Sequence, residues 1–196
     1  MQHIIILAIS YLLGSIPVGL VLSKVLGYGD LRKVGSGNIG ATNALRAGGF
    51  GLAFVTWIGD MAKAVLAVLI GRTFFGNDFG ALCGFIAVVG HIYPIWLGFK
   101  GGKGVSSMFG FILALSPVGF IAGGISWLLL ALGTGYSSAG ALMFFVLLPI
   151  FGFTLSFWTG VVCLMMTALG LWRHKDNIKR LIKKEESKIK WRKAKK

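Results

Sequence analysis

Charge is what this sequence lacks. Only 13% of its 196 residues are charged, and six residues in all are acidic. A water-soluble globular chain carries about a quarter charged residues. This chain cannot coat a water-facing surface, and soluble enzyme folds are set aside. Proline is limited to four residues and cysteine to Cys83 and Cys163, both inside apolar runs. Neither cysteine has the spacing of a metal ligand, so both read as small core residues and no metal is expected. The N-terminus has no basic region of the kind that opens a signal peptide, since His3 is its only candidate cation. The first apolar run is therefore expected to be retained as a span.

Apolar residues are what the chain has in excess. They make up 56% of it, with 15 Phe and 6 Trp, and the mean hydropathy is +0.81. That much apolar surface excludes disorder. A compact, all-α polytopic membrane protein remains. The 20 Lys and Arg against 6 Asp and Glu give a net charge of +14, and twelve of those cations follow Trp172. A basic surplus can mark a nucleic-acid binder. Here the other cations sit mostly in short loops between apolar stretches, which is how a membrane protein marks its cytoplasmic side. No nucleic-acid partner is expected.

A span needs roughly 20 apolar residues. Ile4 to Leu26 qualifies, with Pro17 as a kink, followed by Phe50 to Ile70 and Phe79 to Leu97. Two long blocks follow, Met108 to Leu132 and Ser138 to Leu171. As one helix the second would be about 51 Å long, too long for a hydrocarbon core of about 30 Å, so a break is expected near Gly152, after Pro149. The loop with Lys24, Arg32, Lys33 and Arg46, the loop with Lys100 and Lys103, and the basic tail should share one side. An even number of crossings then separates Lys103 from Arg173, and the first block must also break, at Ser116–Pro117. The expectation is seven spanning or partly spanning helices, with the N-terminus outside and the C-terminus cytoplasmic. A helix from about Ser106 to Leu115 would be too short to span, and five helices with two overlong ones is the alternative. Residues 1–172 are expected to form one helical membrane domain with its functional loops on the cytoplasmic side, and 173–196 a basic cytoplasmic segment.

Thirty glycines are about twice the usual share. Close helix packing accounts for most of them, but not for those in two polar loops. The first loop runs from Gly35 to Asn43 and contains G-x-G-x-x-G at Gly35, Gly37 and Gly40. A dinucleotide site needs a preceding strand, and here there is none, while Asp60 lies inside a span. What survives is a glycine-rich loop that can cradle an anion, with Ser36, Asn38, Thr42 and Asn43 as neutral hydrogen-bonding groups and Arg46 as a planar fork for phosphate. Helix caps and turns use the same residue types. The second loop runs from His91 to Val105. It fails the P-loop pattern, because Leu97 stands at the first glycine and Gly104 follows Lys103. Lys100 and Lys103 still flank Gly101 and Gly102 ahead of a helix N-terminus, an arrangement that favours an anion. Asp60 and Lys63 lie one turn apart inside the second span, as a functional pair or as structural partners. Arg173 to Leu181 reads as a juxtamembrane basic helix, and Lys183 to Lys196 as a polybasic tail for anionic lipids.

Three cytoplasmic segments thus offer anion-binding groups beside a hydrophobic body. Together they resemble the bacterial membrane glycerol-3-phosphate acyltransferase family that uses acyl phosphate as donor. The resemblance lies in Ser36 to Asn43, in His91 to Pro94 continuing through Lys100 to Val105, and in His174, Asn177 and Arg180. It covers the whole chain, with Asp60 and Lys63 matching a further motif, except that Ala64 stands where that motif has glycine. It implies transfer of an acyl group from acyl phosphate to the 1-hydroxyl of glycerol 3-phosphate. The products are lysophosphatidic acid and phosphate, and neither acyl carrier protein, coenzyme A nor a cofactor takes part. The site residues it implies are Ser36, Asn38, His91, Lys103, His174 and Asn177 as catalytic groups. Gly37, Asn43, Arg46, Lys63, Lys100, Gly101, Gly102 and Gly104 would hold phosphate. The His–x4–Asp pair of many glycerolipid acyltransferases is absent, since Trp96 and Lys179 stand at the partner positions of His91 and His174. Expected partners are glycerol 3-phosphate, acyl phosphate and a bilayer with anionic lipids, with a monomer in the bacterial inner membrane. The rival classes are a transporter of a phosphate-containing solute and a small membrane scaffold.

Overall fold

The fold is set by where its apolar helices break. In the computed structural model, which describes residues 1–189, the described residues form nine α-helices and no strand. Pro17 separates α1 (Gln2–Ser15) from α2 (Val18–Val25) with a bend of 41°, because proline has no N–H and a helix cannot run straight through it. After the short α3 (Ala41–Gly48) comes α4 (Phe50–Ile92). Straight, α4 would reach about 65 Å. Instead Phe75 and Gly76 leave helical geometry, Gly76 at φ 82° and ψ −179°, a region essentially confined to glycine. The helix doubles back on itself there. Its two limbs lie so close that a Cβ on Gly71 would stand 2.6 Å from Cys83 Sγ, and one on Gly84 2.5 Å from Val68.

The second half repeats the pattern. α5 (Val105–Leu115) and α6 (Pro117–Thr134) part at Ser116, whose hydroxyl accepts the Gly119 N–H at 3.1 Å. That break falls where the sequence places it. The next one does not. α7 (Ser137–Leu155) runs through Pro149 and ends at Ser156, beyond the expected break near Gly152, and α8 (Phe157–Arg173) follows. In a packed apolar bundle a proline is tolerated inside a helix. The stronger stop is Ser156, which accepts the Thr159 N–H at 2.9 Å as an N-cap. Cys163 lies against Gly152 as Cys83 does against Gly71, so both cysteines fill the close crossings of two helical hairpins. α9 (Lys175–Ile182) closes the helical part.

Asp78, just past the α4 turn, accepts from Ser156 Oγ at 2.5 Å and Thr159 Oγ1 at 3.1 Å. The two hairpin turns are thereby joined at one end of the molecule, and the opposite ends of α4 and α8 carry His91 and His174. α5 wedges between the limbs of α4, and its Phe111, Met108 and Ile112 form the centre of the core with Phe144, Phe145 and Met166. Among the described residues, three helical stretches are long and apolar enough to cross a membrane: Phe50–Leu97, Pro117–Thr134 and Ser137–Leu155. α1 and α2 together make a fourth if counted as one broken span, while α5 and α8 are apolar but shorter. The chain does not leave the bundle after α9. The Ile189 N–H donates to the Gly135 carbonyl at 2.8 Å, laying residues 183–189 back over the α6–α7 turn. The expected lipid-binding residues 190–196 lie outside the described residues.

Gly14 tests this packing, since a Cβ there would stand 2.0 Å from the Ala87 carbonyl oxygen. Gly14→Val is expected to cost about 1–3 kcal/mol, the usual penalty of overpacking, seen as a lower unfolding midpoint in detergent. Gly51→Ala, placed where a Cβ meets nothing within 4 Å, is expected to leave that midpoint unchanged.

Candidate active site

The first polar loop is organised by Asn43, held on α3 and 1% exposed. Its Oδ1 accepts the Ser36 N–H at 3.0 Å. Its Nδ2 donates to the carbonyls of Leu31 at 2.9 Å, Val34 at 3.0 Å and Asn38 at 2.8 Å. The whole amide is engaged with the loop's own backbone, so Asn43 shapes the loop and does not serve as the phosphate ligand expected from the sequence. Two more of the loop's N–H groups are engaged: Gly37 donates to the Val34 carbonyl at 3.0 Å and Gly40 to Asn38 Oδ1 at 2.9 Å. Among the described residues, Ser36 Oγ and Asn38 Nδ2 make no hydrogen bond, which leaves these side-chain groups to face a ligand.

The second loop departs from expectation in the same way. The Gly101 N–H donates to the Ile92 carbonyl at 3.0 Å and the Gly102 N–H to the His91 carbonyl at 3.1 Å. Neither N–H is available to an anion, so the expected amide cradle at Gly101 and Gly102 is not formed. The two glycines instead permit close approach, since a Cβ on Gly102 would lie 2.1 Å from His91 Nε2. Their carbonyls accept from Arg173 Nη2 at 3.4 and 3.3 Å, and the Arg173 guanidinium lies 5.9 Å from the Tyr93 ring centroid. Gly104, at φ 85°, turns the chain into α5, whose first N–H groups have no partners within the helix.

Lys103 donates from Nζ to Asn177 Oδ1. Asn177 Nδ2 donates to Glu186 Oε1 at 2.7 Å, and Arg180 Nε donates to Glu186 Oε2 at 2.7 Å. Burial lowers the Lys103 pKa to about 8; Glu186 opposes the shift, while Arg180, Arg173 and Arg46 add to it. His174 Nδ1 lies 2.8 Å from the Gly170 carbonyl, with its ring against the Phe145 ring at 5.2 Å. That contact puts the ring proton on Nδ1. Burial, reinforced by the Lys103 charge, brings the His174 pKa down to about 4, so the imidazole is neutral at pH 7.

Two expected phosphate ligands lie elsewhere. Lys63 is buried against Asp60 Oδ1 at 2.9 Å and donates to the Ile16 carbonyl at 2.9 Å. It supports the backbone at the Pro17 break, where helical pairing is interrupted, and does not line the cavity. His91 Nδ1 lies 3.3 Å from the same Asp60 oxygen. Lys100 is exposed and outside the cavity wall.

The remaining groups converge. A polar cavity of about 570 Å³ is lined by Ser36, Gly37, Asn38 and Gly101 together with Arg46, Lys103, Arg173, Lys175 and Arg180. Five cations face one acid there, Asp176. An apolar cleft of about 500 Å³ adjoins it, and Ser36, Asn38, Arg46, Lys103, Asn177, Arg180 and Ser187 border both. His91, His174 and Gly104 lie on the cleft side. Sequence reasoning missed Arg173, Lys175, Glu186 and Ser187. Arg173 and Lys175 resemble ordinary interfacial charge, but Glu186 carried a signal, as one of six acids in the chain placed within its most basic stretch.

An all-helical integral membrane protein with a cationic cavity opening into an apolar cleft is a protein built to handle phosphorylated lipids. The comparisons with known proteins agree. The model of the glycerol-3-phosphate acyltransferase family matches residues 4–184. Curated proteins named glycerol-3-phosphate acyltransferase are similar over nearly the whole chain. That of Roseobacter denitrificans is 48% identical, covering 92% of this chain and 91% of its own. That of Allorhizobium ampelinum is 46% identical, covering 93% and 90%. The crystal structure of PlsY (YgiH), an integral membrane glycerol 3-phosphate acyltransferase, in its glycerol 3-phosphate form, superposes with a TM-score of 0.91. It is 34% identical and covers 97% of this chain and 96% of its own. The lysophosphatidic acid form of PlsY gives 0.90, at 31% identity and 97% of both chains. The chain belongs to the glycerol-3-phosphate acyltransferase family.

Asn43→Asp keeps the acceptor for Ser36 but turns a donor facing three carbonyls into an acceptor. Leaving such groups unpaired costs about 1–3 kcal/mol or more. The variant is expected to open the loop around residues 35–40, visible as faster proteolysis there at neutral pH.

Proposed function

We propose that this protein transfers a fatty acyl group from acyl phosphate to the 1-hydroxyl of glycerol 3-phosphate, the first step of phospholipid biosynthesis. The observation that carries the reading is the shared wall between cationic cavity and apolar cleft, which offers a phosphate and an acyl chain adjoining places. The hydroxyl oxygen attacks the acyl carbonyl carbon, and a tetrahedral intermediate forms. The bond from that carbon to the phosphate oxygen then breaks, and its electron pair leaves with inorganic phosphate. The hydroxyl proton passes to a phosphate oxygen, so lysophosphatidic acid and phosphate are the products.

Two anions must be held close together, and the cations of the cavity offset their repulsion. Arg46, Lys103, Arg173 and Arg180 hold the phosphates; Asn177 and Glu186 fix Lys103 and Arg180 in place. Ser36 Oγ and Asn38 Nδ2 donate to the developing oxyanion. His174, neutral with its proton on Nδ1, presents Nε2 as a positioning acceptor. The site lies on the cytoplasmic side of the inner membrane, with the N-terminus outside and seven helices spanning or partly spanning. The described part of the basic segment, residues 173–189, lies at that face near anionic lipids, and the protein acts as a monomer. Transport of a phosphate-containing solute is disfavoured because the polar groups gather at one end of the helices rather than at the midplane expected of a carrier.

Purified protein in lipid, given acyl phosphate, is expected to release phosphate only when glycerol 3-phosphate is added, with lysophosphatidic acid in equal amount. Release without glycerol 3-phosphate, or none at all from folded protein, would sink the proposal. His91→Gln and His174→Gln are each expected to retain measurable turnover; a loss of about four orders of magnitude, the upper end for general acid–base catalysis, with glycerol 3-phosphate still bound, would make that histidine the base.

Lys103 must be protonated to hold an anion, so activity is expected to decline as pH rises through about 8. Lys103→Arg, which stays charged there, is expected to flatten that alkaline decline even if its rate at neutral pH is lower. An unchanged alkaline limb in Lys103→Arg would assign the titration to another group.

A further inference from the structure

The wall that α6 gives to the apolar cleft contains one residue without a side chain. The cleft's α4 side is Phe50, Phe54 and Trp57, and its α6 side is Phe120, Trp127 and Leu128. Gly124 lies on α6 between them and lines the same cleft. A Cβ at Gly124 would meet no heavy atom within 4 Å, whereas at the adjacent Gly123 it would lie 2.7 Å from the Phe144 ring. Gly123 is therefore explained by helix packing and Gly124 is not. Phe54 and Leu128, which line the cleft on its α4 and α6 sides, are both about half exposed, at 48% and 46%. On a helix surrounded by lipid, these half-exposed side chains mark where the cleft meets the membrane interior.

We infer that Gly124 is a specificity-determining residue, keeping open a side passage between α4 and α6 through which the acyl chain of donor and product extends towards the bilayer. The inference rests on the acyl-transfer reading above. In a passage walled by Trp57, Trp127 and Phe120, any side chain at residue 124 projects into the path of the chain. A short acyl group does not reach it. A long one must pass it. The absence of a side chain at Gly124 thus sets acceptance of long chains, while the cations that hold the phosphates are untouched.

Another glycine of the same helix provides the control. At Gly133 a Cβ would also meet nothing within 4 Å, but Gly133 does not line the cleft. Leucine is a better helix former than glycine at both positions, so neither Gly124→Leu nor Gly133→Leu should weaken the fold.

The test measures kcat/KM for a series of acyl phosphates from butyryl to palmitoyl in wild type, Gly124→Leu, Gly124→Val and Gly133→Leu. The expected result is a loss of about tenfold or more on palmitoyl phosphate in both Gly124 variants, the scale on which apolar pockets discriminate by size. The shortest donor accepted by the wild type should be used at the wild-type rate, and KM for glycerol 3-phosphate should not change. Gly133→Leu should match wild type throughout. Equal loss on long and short donors, or an unchanged chain-length profile, would overturn the role of Gly124. Wild-type protein that uses no acyl phosphate at all would overturn the acyl-transfer reading itself, a separate result.

Discussion

A helix of 43 residues is about twice as long as a bilayer core requires, and α4 meets that constraint by reversing at Phe75 and Gly76. Much of the architecture depends on this reversal. It returns His91 to the level of Asp60, 3.3 Å away, and makes the two limbs between which α5 is wedged. Ser107 at the start of α5 donates to the Asp60 carbonyl at 3.0 Å, so the loop carrying Lys103 is tied to the same turn of α4. Lys63 neutralises Asp60 and at the same time donates to the Ile16 carbonyl at the Pro17 break. A buried ion pair of this kind gives little net stability by itself. Its value here is positional: the Asp60 carboxylate links the two limbs of α4 through Lys63 and His91, its backbone carbonyl holds α5, and Lys63 carries the link on to the end of α1.

The glycine-rich loops share a second constraint. An anion cradle of backbone amides needs N–H groups with no other partner. In these loops the amides of Ser36, Gly37, Gly40, Gly101 and Gly102 pair with nearby carbonyls or with Asn38 and Asn43. The glycines are needed for close approach, as at Gly102 against His91. Recognition of anions therefore rests above all on the side chains Arg46, Lys103, Arg173 and Arg180, which come from three separate segments of the chain. Such a site exists only in the folded bundle, whereas a single loop of amides could bind an anion alone.

That difference marks what was legible in the sequence. The breaks at Pro17 and Ser116 could be read because proline and a capping serine act locally. The break at Ser156 was misplaced because Pro149 is the more conspicuous residue, yet packing on both sides lets the helix pass through it. The polar loops could be located from their composition, and His91, Lys103, His174 and Asn177 do converge. Lys63 and Asn43 were assigned to phosphate because a side chain's partners depend on distant carbonyls that no spacing reveals. Glu186 was overlooked within a basic tail, although its carboxylate holds Asn177 and Arg180 together. Local signals located the elements; the roles depended on contacts across them.

The membrane also changes what the apolar cleft can contribute. In water, enclosing a fatty chain would supply strong binding energy, about 0.8 kcal/mol per buried CH₂. A chain that starts in lipid gains almost nothing from an apolar protein wall, because lipid tails are as apolar as leucine. Affinity for a lipid substrate must then come from the phosphate end, which accounts for the density of cations around a cavity with one acid. The cleft is left to act by shape, admitting chains or excluding them. A wall of Phe and Trp interrupted at a glycine is suited to that role, since rigid rings define a passage that flexible aliphatic side chains could close.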